Sequence, residues 1–200
     1  MEKKGGKERN DYTGPLQPEI DLSEFSKDFL LQIMRYWGEL FEAYESTLVK
    51  LSSNLGIDGF GPIEMTDLQI QTMKEIAPPI MQKIAELCKV DINTIEGRIK
   101  AGRFIPDNLS DHYVGAHIEI LNDKEATMTY DRCYLFESGL VGNNLDILHH
   151  VCFNVEPALA EAYMTYPGKP KVVSKMLKVP ESTTLTPGEP MCKWHFKIED

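Results

Sequence analysis

The hydrophobic pattern of this 200-residue chain changes period at Pro106. Before it, apolar residues recur at three- and four-residue steps; after it, they alternate. A helix buries one side every 3.6 residues and a strand every second residue, so the first half must be helical and the second half sheet-forming. Phe25, Phe29, Ile33, Trp37, Leu40, Phe41, Tyr44, Leu48 and Leu51 mark the apolar face of a long first helix. Asp21 followed by Glu24 reads as a capping box ahead of it, and Gly56 with Gly59 to Pro62 as its stop. A second helical region starts near Thr66 and buries Leu68, Met73, Ile76, Ile80, Ile84, Leu87 and Cys88. Pro78 and Pro79 predict a kink there, or two helices meeting, because proline removes a helical donor. Asp91 or Asn93 caps a third helix with Ile95 and Ile99 inside, ending near Gly102. Its Arg98, Lys100 and Arg103 read as a solvated face, with an anion site as the alternative.

Beyond Pro106, Val114, Ala116, Ile118 and Ile120 share one strand face, and His117 and Glu119 the other. A turn at Asn122 to Glu125 leads into a returning strand, Ala126 to Cys133. Helical stretches follow at about 143–153 and 157–164, then a strand from Lys171 to Leu177 and a loop from Pro180 to Pro190. In the last strand, Met191 to Ile198, Cys192, Trp194, Phe196 and Ile198 face one way, and Lys193, His195 and Lys197 the other. The predicted fold class is α+β: N-terminal helices packed on a roughly four-stranded antiparallel sheet, with a helical crossover between strands two and three. Residues 1–20 are polar and rich in glycine and proline, and are expected to be a disordered tail. Residues 21–200 are expected to form a single α+β domain, helical over 21–105 and sheet-forming over 106–200.

Composition narrows the function. A net charge of −10 and a pI of about 5.0 disfavour nucleic acid and anionic membrane as partners. A small anionic substrate needs only one or two local cations and stays open, as does a homo-oligomer. The N-terminal residues lead into no apolar run, and no stretch is long enough to span a bilayer. Four cysteines are too few for a disulfide scaffold, so a cytoplasmic location with free thiols is expected. The motifs of nucleotide-driven, zinc-protease and serine-esterase chemistry do not occur.

The groups capable of chemistry concentrate between Thr127 and Glu161. Cys133 sits at a strand end beside Arg132, a cation that would favour the thiolate if the strand bends there. Cys152 lies 19 positions on, in a different element. His149 and Cys152, three apart, share a helix face, where His149 could serve as base or as a metal ligand together with Cys152. Glu156 is a further acid/base or ligand candidate, with its helical register in question because Pro157 follows. Each cysteine also has a plain reading as a small buried hydrophobe. Cys192, far along the chain, could fold back onto this segment.

Arg132-Cys133, Cys152 with Glu156 and Ala158-Leu159-Ala160-Glu161, and Cys192-Lys193-Trp194-His195-Phe196 occur in an order that resembles the L-2-amino-thiazoline-4-carboxylic acid hydrolase-like family. Met34-Arg35-Tyr36-Trp37 and the region Ile76 to Ile99 resemble the helical half of its uncharacterised branch. The resemblance covers most of residues 22–198. It implies kinship in fold with 4-vinyl-reductase and hydrocarbon-binding domains, in which a pocket lies between helices and an antiparallel sheet. It also implies a bacterial-type hydrolase that opens a cyclic C–N/C–S bond of a small carboxylated substrate. On that reading Cys133 or Cys152 is nucleophile or metal ligand, His149 and Glu156 are acid/base or ligand, and Arg132 clamps the carboxylate. A divalent metal is an alternative to a free thiol, with Cys133, Cys152 and His149 as its candidate ligands. His149 lies outside the family pattern and rests on helix spacing alone. The competing expectation is a non-catalytic protein binding a hydrocarbon or tetrapyrrole-like ligand in the same pocket.

Overall fold

The computed structural model describes residues 8–17, 20–52, 62–105, 116–132, 145–179 and 191–199. Helices α1 (Lys27–Ser52), α2 (Pro62–Cys88) and α3 (Ile95–Gly102) precede strands β1 (Ala116–Asn122) and β2 (Glu125–Tyr130). Helix α4 (Leu145–His150), a π turn (Val151–Val155) and helix α5 (Glu156–Tyr163) follow without a break. Strands β3 (Val172–Lys178) and β4 (Cys192–Ile198) complete the chain. The sheet is antiparallel throughout, in the order β1-β2-β4-β3. The helical crossover therefore joins β2 to β3, as the sequence pattern predicts, and β4 returns between them.

The sheet buries one face. Ala126, Tyr130, Trp194, Phe196 and Ile198 pack there with Ile95, Ile99 and Met164. The opposite face carries His117, Glu119, Lys175 and Lys197, all exposed, so the strands alternate between core and water. A second core lies on the far side of α3. There Phe29, Ile33, Met81, Ile84 and Phe104 fill the space between α1, α2 and the start of the chain.

Helix α3 is the piece shared by both cores. Thr94, rather than Asp91 or Asn93, is its N-cap: its hydroxyl oxygen accepts from Gly97 N at 3.1 Å. Asp91 instead holds the preceding turn by accepting from Asn93 N at 2.9 Å. The basic face is not solvated. Arg98 is fully buried, Arg103 and Lys100 nearly so. The Arg98 Nε donates to Ile92 O at 2.7 Å, and its Nη1 donates to Met164 O at 3.0 Å and Pro170 O at 2.8 Å. Its guanidinium carbon also sits 5.4 Å from the centre of the Tyr166 ring. Backbone carbonyls left over at helix ends and turns thus accept the charge that solvent would otherwise hold. Lys100 pairs with Glu96 at 2.8 Å, one helical turn back.

Three further expectations change. The segment expected as a tail is docked over residues 8–17. Tyr12 is 1% exposed, meets Phe25 and Phe104 edge-on, and donates its N–H to Cys88 O at 2.9 Å. The Arg9 guanidinium lies over the Tyr12 and Phe25 rings at 5.2 and 5.1 Å. One aromatic anchor, Tyr12, and the Arg9 guanidinium laid over it outweigh a polar composition. Asp21 caps only a short 3-10 turn, Leu22–Glu24, and the Ser26 hydroxyl accepts from Phe29 N at the true start of α1. Finally, α2 runs through Pro78 and Pro79 as one helix. The prolines have no N–H for the carbonyls of Lys74 and Glu75, which are exposed residues, while Ala77, Ile80 and Met81 anchor the buried side.

Two substitutions in α3 test this arrangement with opposite signs. A Cβ on Gly97 would lie 2.0 Å from the Asp91 carbonyl oxygen, whereas one on Gly102 would meet nothing within 4 Å. Gly97→Ala should lower stability by about 2 kcal/mol despite alanine's helix preference. Gly102→Ala should raise it by about 0.5–1 kcal/mol. Arg98→Ala strands three carbonyls and should cost about 3 kcal/mol or more. Urea unfolding of the three variants measures all of these.

Candidate functional site

Three element faces meet between the sheet and the helices. Along α5 and its end, Glu156, Leu159, Ala160, Tyr163 and Met164 follow the three- and four-residue steps of one helix face. Ile99, Gly102 and Arg103 do the same on α3. Met128 with Tyr130, and Trp194 with Phe196, are alternate residues on the inner face of β2 and β4. Together they line a partly open cavity of about 90 Å³. Gly102 and Ala160 keep this space open, since larger side chains at either position would enter it.

The wall is mostly apolar with few polar groups, the composition of a small-molecule site. Arg103 and Glu156 are its charged members, from different helices. Both act on the Tyr130 hydroxyl. Burial pushes that phenol well above its ordinary range, Arg103 pulls it back, and Cys192 and Glu156 push it further up. Tyr130 is therefore a neutral phenol. Trp194 is 4% exposed and stacks on Phe196, ring centres 5.8 Å apart. Its Nε1 is buried and has no hydrogen-bond partner among the described residues.

The π turn decides which face of the crossover helix reaches this cavity. Glu156 donates its N–H to Val151 O, five residues back. Pro157 has no N–H to offer Phe153 O, and its ring would crowd that carbonyl in a regular helix. The wider turn accommodates the proline and rotates the register between Cys152 and Glu156. Glu156 enters the cavity wall, while Cys152 turns elsewhere.

The candidates from the sequence divide accordingly. Glu156 lines the cavity. Cys152 is buried with Leu148 and Val179 in a small apolar cluster outside the wall, as a packed thiol would be. His149 is half-buried on α4, its ring 6.0 Å from that of Phe153 and edge-on to it. Arg132 is exposed just past β2 and is not in the wall. Cys133 lies outside the described residues. Cys192 does fold back: β4 pairs it with Tyr130, at the end of the strand that leads to Arg132. Among the described residues, no three His, Cys, Asp or Glu side chains come close enough to hold a metal ion. No helix there is long and apolar enough to cross a membrane.

The sequence reading missed Arg103, Tyr130 and Trp194 as wall residues. Arg103 carried a usable signal: it stands between Gly102 and the apolar pair Phe104-Ile105, an odd neighbourhood for a solvated cation. Alternation puts Trp194 on the correct strand face, but periodicity says nothing about a void beside it. No family model matches the chain, and no curated protein or solved structure matches it.

Cys88, in the helical core, marks what a purely structural thiol does here. It is fully buried, and burial pushes its pKa from 9.0 up to about 12, with Asp11 adding to the effect. A raised folded-state pKa means that the folded protein prefers the protonated thiol. Its contribution to stability is intact below pH 9 and is lost as pH rises towards 12. Cys88 should stay unmodified when folded protein is treated with iodoacetamide at neutral pH and mapped by mass spectrometry. A Cys88→Ala variant should show a shallower loss of stability in the alkaline limb.

Proposed function

We propose that the cavity between α3, α5 and the sheet binds a small organic acid, and that the chain acts on it as a hydrolase. The observation that carries this reading is the placing of one cation, Arg103, and one carboxylate, Glu156, in an otherwise apolar wall. A buried guanidinium attracts a carboxylate, and apolar side chains accept the body of the ligand. Glu156 sits where it can take a proton from water. For the substrate class implied by the family resemblance, water adds to the sp² carbon between nitrogen and sulfur. Glu156 takes one water proton and passes it to the ring nitrogen as the C=N bond becomes single; it then takes the proton of the new hydroxyl as the carbonyl forms, the C–S bond breaks, and the sulfur leaves as a thiol with that second proton. Arg103 takes the carboxylate-holding role expected of Arg132, and Glu156 takes precedence over Cys152 and His149.

The apolar majority of the wall favours a second reading, a non-catalytic binder of a small ligand. One assay separates the two. With 2-amino-thiazoline-4-carboxylate as substrate, the wild-type protein should release free thiol. Glu156→Gln should lower kcat about 100-fold or more while binding persists, and Arg103→Gln should raise KM about tenfold or more. Full kcat in Glu156→Gln removes the assigned base. Binding without thiol release, by calorimetry, leaves the non-catalytic reading in place.

A further inference from the structure

We propose that the chain forms a two-fold symmetric dimer through the outer face of α1, in which two copies of the helix cross antiparallel at Gly38. This interface lies on the helical layer and does not depend on what the cavity binds.

Helix α1 turns Phe29, Ile33 and Leu40 into the helical core, with Tyr36 and Trp37 packed against it. The opposite side is bare. Met34 and Phe41 are 59% and 62% exposed, the two most exposed large hydrophobics among the described residues, and Leu31 continues their line. One exposed apolar residue is ordinary, but three on one helix face form a seam of the kind that marks an interaction surface. Gly38 lies at its centre. Glycine inside a helix is destabilising relative to alanine, and a Cβ on Gly38 would meet nothing within 4 Å. Packing within the chain therefore does not account for this glycine. A second helix crossing there does, because the smallest side chain at the contact point lets two helix axes come closest.

The residues beside Gly38 identify the second helix as another α1. At about 3.6 residues per turn, Met34 and Phe41 flank Gly38 on one side, and Arg35 and Glu42 flank it on the other. Among the described residues, Arg35 reaches only Gln32, at 3.4 Å, and Glu42 has no partner. By contrast, Glu39 at the rim is already paired with Lys83 of α2. A two-fold axis that reverses the helix direction at Gly38 brings apolar flank to apolar flank and charged flank to charged flank. Met34 then meets Phe41 of the second copy, and Arg35 meets its Glu42, each contact occurring twice. A parallel pair would instead set Met34 and Phe41 against Arg35 and Glu42. The face is thus complementary to itself in one orientation. A lipid surface is a poorer occupant, because Glu39 and Glu42 border the seam and the chain carries a net charge of −10.

The test is the self-association of the full chain. Sedimentation over about 1–200 µM should show a monomer–dimer equilibrium, since a short seam suits a micromolar contact. Gly38→Leu should weaken it about tenfold or more and leave the monomer folded by circular dichroism, because the position is open. Arg35→Glu should weaken it about fivefold or more, and the exchange of Arg35→Glu with Glu42→Arg should restore it to within about twofold. A monomer at every concentration overturns the proposal. So does a dimer indifferent to both Gly38→Leu and Arg35→Glu, which puts the contact elsewhere. Weakening by both single changes with no recovery in the exchanged pair overturns the antiparallel pairing. The charge exchange decides the matter even if Gly38→Leu does not fold, because Arg35 and Glu42 are both exposed.

Discussion

The guanidinium of Arg98 holds the layers of this protein in register. It is fully buried and reaches Ile92 before α3, Met164 after α5 and Pro170 before β3. These three points belong to the helical half, the crossover and the sheet. A single planar fork thus sets the distance between α3 and the end of α5, the two helices that wall the cavity. Other ties run in parallel. Ile95 N donates to Asp123 O in the β1–β2 turn at 2.7 Å, and Ser174 N on edge strand β3 donates to Glu161 Oε1 at 2.9 Å. The second of these also covers an edge N–H that would otherwise invite another strand.

The fold was legible wherever burial follows a period. Val172 to Lys178 and Cys192 to Ile198 lie within one residue of the strands read from alternation, and the helix stripes of Phe29, Ile33, Met73 and Ile84 are core. The misreadings share a cause. Arg98 and Arg103 look solvated because charge usually is, and only the tertiary supply of carbonyls makes burial tolerable. Tyr12 looks like part of a tail because its partners, Phe25 and Phe104, are 13 and 92 positions away. Pro78 and Pro79 look like a break because local sequence does not record that the residues four positions before them, Lys74 and Glu75, lie on the exposed side of the helix.

The candidate site was legible only in part, for a similar reason. Glu156 could be singled out because it is a carboxylate in a segment dense with reactive groups. The cavity itself is an absence of atoms, created where Gly102 and Ala160 face Trp194 and Phe196 across layers. Sequence spacing brings His149 and Cys152 together on paper, but the helix they share changes its winding between Cys152 and Glu156. Chemistry-bearing residues that are close in sequence are therefore divided between an apolar cluster and a cavity wall.

That change of winding has a consequence for how the chain tolerates length changes. A π turn holds one residue more than a regular turn of helix over the same rise. Deleting a single residue within 151–155 would remove the wide turn and press the Pro157 ring against the carbonyl four residues before it. All of α5 would then be turned against the sheet, with Leu159 and Tyr163 displaced along with Glu156. The reading frame of the cavity is carried by a helix that counts one residue too many, and elsewhere in the crossover an insertion could restore it.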